Sequence, residues 1–229
     1  LTWSRSKLLE LLDRRIDRLV RRRYSKQRVT HKDLLPKTVG KVKIDDYLIS
    51  RAPRPRDIIA FFNACITAAP DAAKLNVNLL RTAEGEYSRS RLRALGDEWS
   101  SDYPSLVDFA RILQKRAASF KLGTITVVEA GVLCLKVVVE NSEMTGLLEL
   151  QAKQVAEGNV PPLDFRNALF RVFYRVGLVG LKLESYETVS WADETGRSVS
   201  SAEVSDTVSI VVHSAYHRAL GIVKPEKDR

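Results

Sequence analysis

The sequence predicts a mainly α-helical chain in two parts, a helical domain over residues 1–121 and an α+β winged-helix domain over residues 122–229. The first observation is length, because 229 residues exceed the roughly 100 to 150 of a typical single domain. The second is that apolar residues recur every three or four positions through the first half. The third is a change after Gly123 to three helical segments followed by β-branched segments.

The first helix runs from a cap at Ser4 or Ser6 to about Tyr24. Its apolar positions fall on one face, which must be buried: Leu8, Leu9, Leu12, Ile16, Leu19 and Val20. The opposite face carries arginines, namely Arg14, Arg15, Arg18, Arg21, Arg22 and Arg23. Basic residues suit the last turn of a helix, where the macrodipole favours cations. A solvated helix end is therefore the simpler interpretation. Contacts to phosphate or nucleic acid by Arg14, Arg18, Arg21, Arg22 and Arg23 remain the alternative.

A loop and four further helices complete the predicted helical domain. Residues 25–44 are polar and basic and predict a loop with short elements. A short helix over DYLISRA precedes a strongly apolar helix that begins near Pro55, because proline suits the first helical turn. Asn76 or Asn78 caps a long helix that stops before Pro104. Ser105 then caps a last helix that closes the domain near Lys121.

The winged-helix prediction rests on the order of elements after Gly123. Thr126 and Glu129 have capping-box spacing, which favours a helix over a strand for VVEAGVLCLKVVVE despite its β-branched residues. A second helix covers about 142–157, and a third is capped by Asp164. Strands are predicted for LVGLKLES, TVSW and TVSIVVH, with ADETGRS as the wing, and a short helix over SAYHRALG follows. Three helices and then a β-hairpin is the winged-helix order.

Positive charge is concentrated at the N-terminal end of the chain. The chain has a net charge of +9, and residues 1–58 hold 17 Lys and Arg against 7 Asp and Glu, whereas residues 122–229 hold 11 against 14. Arg166, Arg171 and Arg175 are the groups expected to point outward from the third helix of the winged-helix part. Because that part is net negative, a protein contact or regulatory role is favoured over duplex binding, which remains the alternative.

The motifs of common catalytic sites are missing from the sequence. A phosphate loop needs GxxxxGK[ST], and the nearest segment is Thr38–Val42, which contains Gly40 and Lys41. Leu35, upstream of it, stands where the first glycine should be, and Val42 stands where the hydroxyl residue should be. We find no Walker B pattern, metal-ligand spacing or nucleophile elbow. Whether the whole protein is an enzyme stays open. Cys65 and Cys134 lie in apolar stretches and are expected to be buried, reduced thiols.

Two arginines at the head of the phenylalanine-rich helix, in Arg54-Pro55-Arg56-Asp57, form the most distinctive motif. The segments DYLISRAPRPRDIIAFFNAC, AEGEYSRSRLRALGDEWSSDYPSL, FYRVGLVGLKL and VVHSAYHRALGI resemble the C-terminal part of bacterial P-loop ATPases of the AAA+, KAP and STAND type. In that family a helical lid and then a winged helix follow the nucleotide-binding core. The resemblance covers nearly the whole chain.

The resemblance implies a role for the arginine motif and a separate domain that binds the nucleotide. Arg56, and less directly Arg54, match the sensor 2 position, where a lid arginine reaches the terminal phosphates of the nucleotide; the fork of a guanidinium suits phosphate. Pairing of Arg56 with Asp57 or a core carboxylate is the structural alternative. ATP and Mg²⁺ are expected in the parent protein, held by a nucleotide-binding domain upstream of Leu1, and none in this chain. Self-association or another protein is the implied partner, in signalling or defence against phage.

The location of the protein is predicted from what its sequence lacks. No run approaches the roughly 18 consecutive apolar residues of a membrane span, and no segment resembles a signal peptide. We therefore expect a cytoplasmic protein without a membrane partner.

Overall fold

The computed structural model describes residues 3–23, 27–70, 73–141, 145–184, 186–200 and 203–223, with side chains throughout except at 21–23 and 193–194. Its α-helices are α1 (Arg5–Arg23), α2 (His31–Leu34), α3 (Ile44–Arg51), α4 (Pro55–Ala68), α5 (Val77–Glu98), α6 (Leu106–Phe109), α7 (Val127–Glu140), α8 (Leu147–Ala156), α9 (Pro162–Arg175) and α10 (Ala192–Thr195). Its strands are β1 (Thr38–Val39), β2 (Val42–Lys43), β3 (Ser119–Lys121), β4 (Val179–Lys182) and β5 (Ser209–Val212). The chain is mainly helical with a small antiparallel part, which confirms the predicted fold class.

Two compact units divide the chain, Leu1–Arg89 and Ser90–Arg229. The division falls within α5, whereas the sequence placed a boundary at Lys121. The difference has a physical cause, because Leu95, Tyr103 and Phe109 belong to the same hydrophobic core as the helices of the second unit. Residues between the two boundaries are helical like the first unit, so their pattern alone does not reveal which core they enter.

The first unit is built around the apolar face of α1 and the phenylalanines of α4. Leu8, Leu12 and Ile16 are buried as predicted, and α1 contacts α2, α3 and α4. Leu9 and Val20 are only partly buried, and the prediction is wrong for Leu19, which is 43% exposed. Ser4 caps α1 by accepting a hydrogen bond from the Lys7 backbone N–H at 3.4 Å. Within the region predicted as a basic loop, the strands β1 and β2, of two residues each, form an antiparallel hairpin. Gly40 has φ of +61° there, a conformation that glycine adopts without a steric cost.

The starts of α4 and α5 follow their sequence signals. Pro55 occupies the first position of α4, where its missing N–H loses no helical partner. The Asn76 side chain caps α5 by accepting a hydrogen bond from the Leu79 N–H at 2.9 Å. Tyr87, Arg91 and Leu95 of α5 are buried, whereas Glu98, which lies near the same stripe of the helix, is exposed.

The second unit packs α7, α8 and α9 against one another and against a three-stranded sheet of order β3-β5-β4. Both strand pairs are antiparallel. The core is rich in aromatic side chains from α9, with Phe165, Phe170 and Phe173 fully buried. Three helices followed by an antiparallel hairpin is the order on which the winged-helix prediction rests.

The capping box that favoured a helix for α7 is present. The Thr126 hydroxyl accepts a hydrogen bond from the Glu129 N–H at 3.1 Å, and the Glu129 carboxylate accepts one from the Thr126 N–H at 2.8 Å. In contrast, α9 begins at Pro162 and not after a cap at Asp164. Proline at the first position makes a side-chain cap less necessary, and Asp164 lies in the first turn, where the helix dipole favours acids.

Four elements differ from the sequence prediction. The helix after Ser105 ends in a 3-10 turn at Leu113, and Ser119–Lys121 pairs with β5 as a strand. The predicted strand TVSW contributes only an isolated bridge from Ser190 to Leu181, and the predicted wing contains α10. The last predicted helix is a 3-10 turn, Ser214–Tyr216. For Ser119–Lys121, pairing with β5, about ninety positions later in the chain, overrides the local helix propensity.

The two cysteines are buried and unbridged. Burial raises the pKa of the Cys65 thiol to about 12 and that of Cys134 to about 12, because a thiolate loses its solvation in an apolar interior. Both side chains therefore remain neutral thiols at ordinary pH.

A membrane span needs a longer and more apolar helix than any that the described residues form.

Candidate functional site

The head of α4 presents the arginine motif at the surface of the first unit. Arg54 is the residue before the helix, and its carbonyl oxygen accepts the hydrogen bond of the Ile58 N–H at 3.0 Å. Arg56 is the second residue of the helix. Both arginine side chains are exposed, whereas Asp57 and Ile58, which follow directly, are buried.

Packing of α4 fixes the direction in which Arg56 leaves the helix. Ile58 and Phe61 are completely buried, and the Phe61 ring stacks on Tyr87 of α5 with 5.0 Å between ring centroids. Arg56 forms no ion pair with any side chain that the structure describes. A cation in the first turn of a helix opposes the macrodipole, so the helix itself does not stabilise the charge. An exposed guanidinium on a packed helix can bind an anion at this place.

A buried ionic network lies just before the motif, where α3 ends. Glu84 of α5 accepts hydrogen bonds from the Tyr47 hydroxyl and from the Arg51 Nε, both at 2.6 Å. The Arg51 guanidinium lies over the Tyr47 ring, 4.1 Å from its centroid, and the Tyr87 hydroxyl donates to the Arg51 carbonyl at 3.2 Å. The network ties the segment that leads into α4 to the long helix α5.

Sequence reasoning did not single out Glu84 or Arg51. One signal was available, since Glu84 falls on the same face of α5 as Leu80 and Tyr87, both of which are buried. A carboxylate on a buried helical face needs a partner, and the sequence does not show which arginine supplies it.

His31 is a second buried polar residue in the first unit that the sequence did not assign. Its Nδ1 lies 2.7 Å from Asp13 Oδ1 and its Nε2 lies 2.9 Å from Asp45 Oδ1. Burial alone would raise the pKa of Asp45, but hydrogen bonds and charge from His31 and Lys32 together lower it. The histidine joins α1, α2 and α3, which makes its role structural.

The basic face of α1 does not converge on one point among the described side chains. Arg14 and Arg18 are exposed, and Arg14 pairs with Glu10 at 2.7 Å one turn earlier on the same helix. The side chains of Arg21, Arg22 and Arg23 lie outside the described residues, although their backbone belongs to α1.

The three predicted arginines of α9 separate into one buried and two exposed residues. Arg166 was expected to point outward, and this is wrong because its side chain is buried. It donates to the Ile125 carbonyl at 2.9 Å and pairs with Asp206, so it connects α9 to two loops. Arg171 and Arg175 are exposed as predicted.

Arg171 and Arg175 face a cleft of about 530 Å³ in the second unit. The cleft is bordered by α8, α9 and the segment around α10, which also contributes Arg197. The Arg171 Nε donates to the Val199 carbonyl at 3.0 Å, so this segment lies against α9. The described lining residues are Tyr103, Leu147, Leu148, Gln151, Ala168, Arg171, Val172, Tyr174, Arg175, Ala192, Gly196, Arg197, Ser198 and Val199.

Within the described ranges, no group of three histidine, cysteine or carboxylate side chains is arranged to hold a metal ion.

Comparison with known families finds a similarity for the N-terminal helical part of the chain. Residues 6–96 match the model of the FunZ-associated C-terminal helical domain. No significant match to the chain was found among curated proteins or solved structures. The matched residues include α1 to α4 and nearly all of α5, with the arginine motif and the Glu84 network, and so this part of the chain is similar to a C-terminal helical domain associated with FunZ.

Proposed function

We propose that the chain is the lid and regulatory part of a P-loop ATPase, in which Arg56 contacts the terminal phosphates of a nucleotide held by a separate nucleotide-binding domain. The observation that supports this most is the exposed Arg56 at the head of a rigidly packed helix. A guanidinium keeps its charge at any working pH and offers a planar set of donors to phosphate oxygens. The similarity to a C-terminal helical domain is consistent with a nucleotide-binding domain that precedes it.

The residues present fit a nucleotide only in part, which is why the proposal assigns them a sensing role. Arg56, with Arg54 beside it, supplies positive charge for phosphates. The sequence has no phosphate loop, and so Mg²⁺ and most of the phosphate contacts belong to the other domain. The Glu84 network holds the end of α3 and the approach to α4 in place, and these residues act as positioning residues for Arg56.

Replacement of Arg56 tests the sensing role. In the whole protein, Arg56→Ala is expected to lower ATP turnover by about 10-fold to 100-fold, because a hydrogen bond to a charged group contributes about 1.5 to 3 kcal/mol. The thermal midpoint should stay unchanged, since the side chain is exposed. Arg81→Ala is the matched control, an exposed arginine on α5 of the same unit. Turnover of the Arg56 variant equal to that of the Arg81 variant contradicts the proposal.

The second unit fits a role in self-association through the outer face of α7. Four apolar residues at positions i, i+4, i+7 and i+11 form an exposed stripe, and they are between 42% and 83% exposed: Val128, Val132, Leu135 and Val139. Exposed contiguous apolar surface marks interaction sites. Antiparallel packing against a second copy sets Val128 against Val139 and Val132 against Leu135 in both directions.

The stripe is self-complementary about a two-fold axis, which favours a second copy as its partner. Exposed Lys136 lies beside it, whereas Glu129, on the same flank, pairs with Arg116 and caps α7 within its own chain. Leu135→Glu is expected to weaken dimerisation by at least 10-fold, since burying a leucine contributes about 1.5 to 3 kcal/mol. Sedimentation equilibrium measures the change, with Leu19→Glu, an exposed leucine on α1, as the control. We take a dissociation constant of about 1 μM as the weakest that gives a useful dimer. Wild-type protein that stays monomeric at a concentration about 100-fold above this value would rule out a second copy as the partner.

Nucleic-acid binding through α1 and α9 is the alternative function. Arg14 and Arg18 are exposed and suited to backbone phosphates. Two observations weigh against a duplex on α9: Arg166 is engaged inside the unit, and the 196–199 segment lies against the helix face that would enter a groove. A groove-reading helix needs an open face, and so the lid and regulatory function is preferred.

A further inference from the structure

We propose that the cleft of the second unit binds the phosphate group of a small molecule through Arg171, Arg175 and Arg197. This site is separate from Arg56 and does not depend on the ATPase proposal. It lies wholly within the unit Ser90–Arg229.

Three arginines from two separate segments line one cleft. Arg171 and Arg175 are one helical turn apart on α9, so both side chains leave the same face. Arg197 comes from the segment after α10, on another wall of the cleft. Arg171 and Arg175 pair with no carboxylate that the structure describes, whereas Arg197 pairs with Glu203, outside the described lining. A bound anion would offset the repulsion between Arg171 and Arg175.

Each arginine is held by a contact that leaves donors for a ligand. The Arg171 Nε bonds the Val199 carbonyl at 3.0 Å, which leaves its two terminal nitrogens for other acceptors. The Arg175 guanidinium lies over the Trp99 ring, 5.5 Å from the centroid, and one of its terminal nitrogens donates to the Tyr103 hydroxyl at 3.1 Å. Fixing a guanidinium before binding reduces the conformational entropy that the ligand must offset.

Arg197 is positioned by Glu203, outside the described lining of the cleft. Hydrogen bonds from the Ser200 backbone and hydroxyl, with Arg197 as a further cause, lower the pKa of Glu203 to about 2. The carboxylate is therefore ionised across the whole working range of pH and keeps Arg197 in place. The pair is exposed, so the charge of Arg197 remains available to a second anion.

Neutral groups around the arginines add the features of a phosphate-ester site. The Tyr103 hydroxyl accepts from Arg175 and can donate its own proton to an oxygen of the ligand. Ser198 and Gln151 provide further donors, and Leu147 with Val172 provides an apolar wall for the remainder of the molecule. A cleft of about 530 Å³ falls within the range of small-molecule sites, about 300 to 1,000 Å³. A duplex does not fit into it.

Isothermal titration calorimetry of the whole chain with two probes, adenosine monophosphate and inorganic phosphate, tests the site. We expect binding of at least one probe that weakens as salt rises. Arg171→Ala and Arg175→Ala should each reduce affinity by about 10-fold to 100-fold, the effect of one charge-assisted hydrogen bond. If adenosine monophosphate binds more tightly than phosphate, the apolar wall also contacts the adenosine. If the two probes bind equally, the site recognises the phosphate alone. Both results support the site.

Two control variants separate this site from the others. Arg93→Ala removes an exposed arginine of the same unit outside the cleft and should bind like the wild type. Arg81→Ala, at an exposed arginine of the first unit, should also leave the affinity unchanged. The cleft variants are measured by probe binding and the Arg56 variant by ATP turnover, so that failure of the ATPase proposal and failure of this one give different results. Circular dichroism of the cleft variants establishes that they are folded. The proposal is overturned if neither probe binds at millimolar concentration, if the folded Arg171 and Arg175 variants bind normally, or if duplex DNA displaces both probes from the cleft.

Discussion

Glu84→Gln is expected to lower the free energy of unfolding of the first unit by about 3 kcal/mol, because breaking one partner of a buried ion pair leaves the other charge uncompensated. Glu84 is 3% exposed, and both of its oxygens accept hydrogen bonds, from Tyr47 and from Arg51. Glutamine keeps the size of the side chain but replaces one acceptor with a donor, which then faces another donor.

The matched control for this prediction lies on the same helix. Glu86 is exposed and pairs with Arg89 at the surface, so Glu86→Gln should change stability by less than about 1 kcal/mol. Hydrogen exchange locates the effect, since protection should fall in α3, α4 and the first half of α5. If the two variants unfold at the same denaturant concentration, the Glu84 network does not stabilise the unit.

Phe170→Ala is expected to destabilise the second unit by about 3 to 5 kcal/mol, the usual cost of truncating a buried phenylalanine. Phe170 is completely buried and packs edge-on against Phe173 at 5.4 Å and against Phe120 at 6.4 Å between centroids. The variant loses transfer energy, leaves a cavity and removes two aromatic contacts, one within α9 and one between α9 and the strand β3.

Tyr186→Ala provides the comparison for Phe170, since it also removes an aromatic ring but from a side chain that is 84% exposed. Urea denaturation followed by tryptophan fluorescence reports on this unit through Trp99 and Trp191. If the Phe170 variant were as stable as the Tyr186 variant, burial of this α9 side chain would not stabilise the core of the second unit. Loss of soluble protein for the Phe170 variant alone agrees with the prediction, and Phe170→Leu then supplies a milder change for measurement.

The elements that the sequence predicts well are those whose signals are local. The capping box at Thr126 and Glu129, the proline at the start of α4 and the Asn76 cap each act within three or four residues, and all are present. Strand β3 depends instead on pairing with β5, about ninety positions later. Its own residues do not contain that information, and the helical pattern before it extends the prediction past Leu113.

The candidate sites differ in predictability for the same reason. Arg54 and Arg56 stand in one short motif at a helix start, and their exposure follows from that place. The outward direction of Arg166 was wrongly predicted because Ile125 and Asp206, which hold it, come from two loops elsewhere in the chain. The cleft joins Tyr103, Gln151, Arg175 and Arg197 from four segments, and only the folded unit brings these together.

Burial of the two native thiols makes the chain a convenient background for spectroscopic probes. Cys65 and Cys134 are enclosed by apolar side chains and stay uncharged, and thiol-directed dyes react with the thiolate form at accessible positions. A single new cysteine on the surface, for example in place of Arg81 or Arg93, can therefore carry a fluorophore or spin label without removal of the native residues. Two such cysteines labelled together would report a distance within the protein.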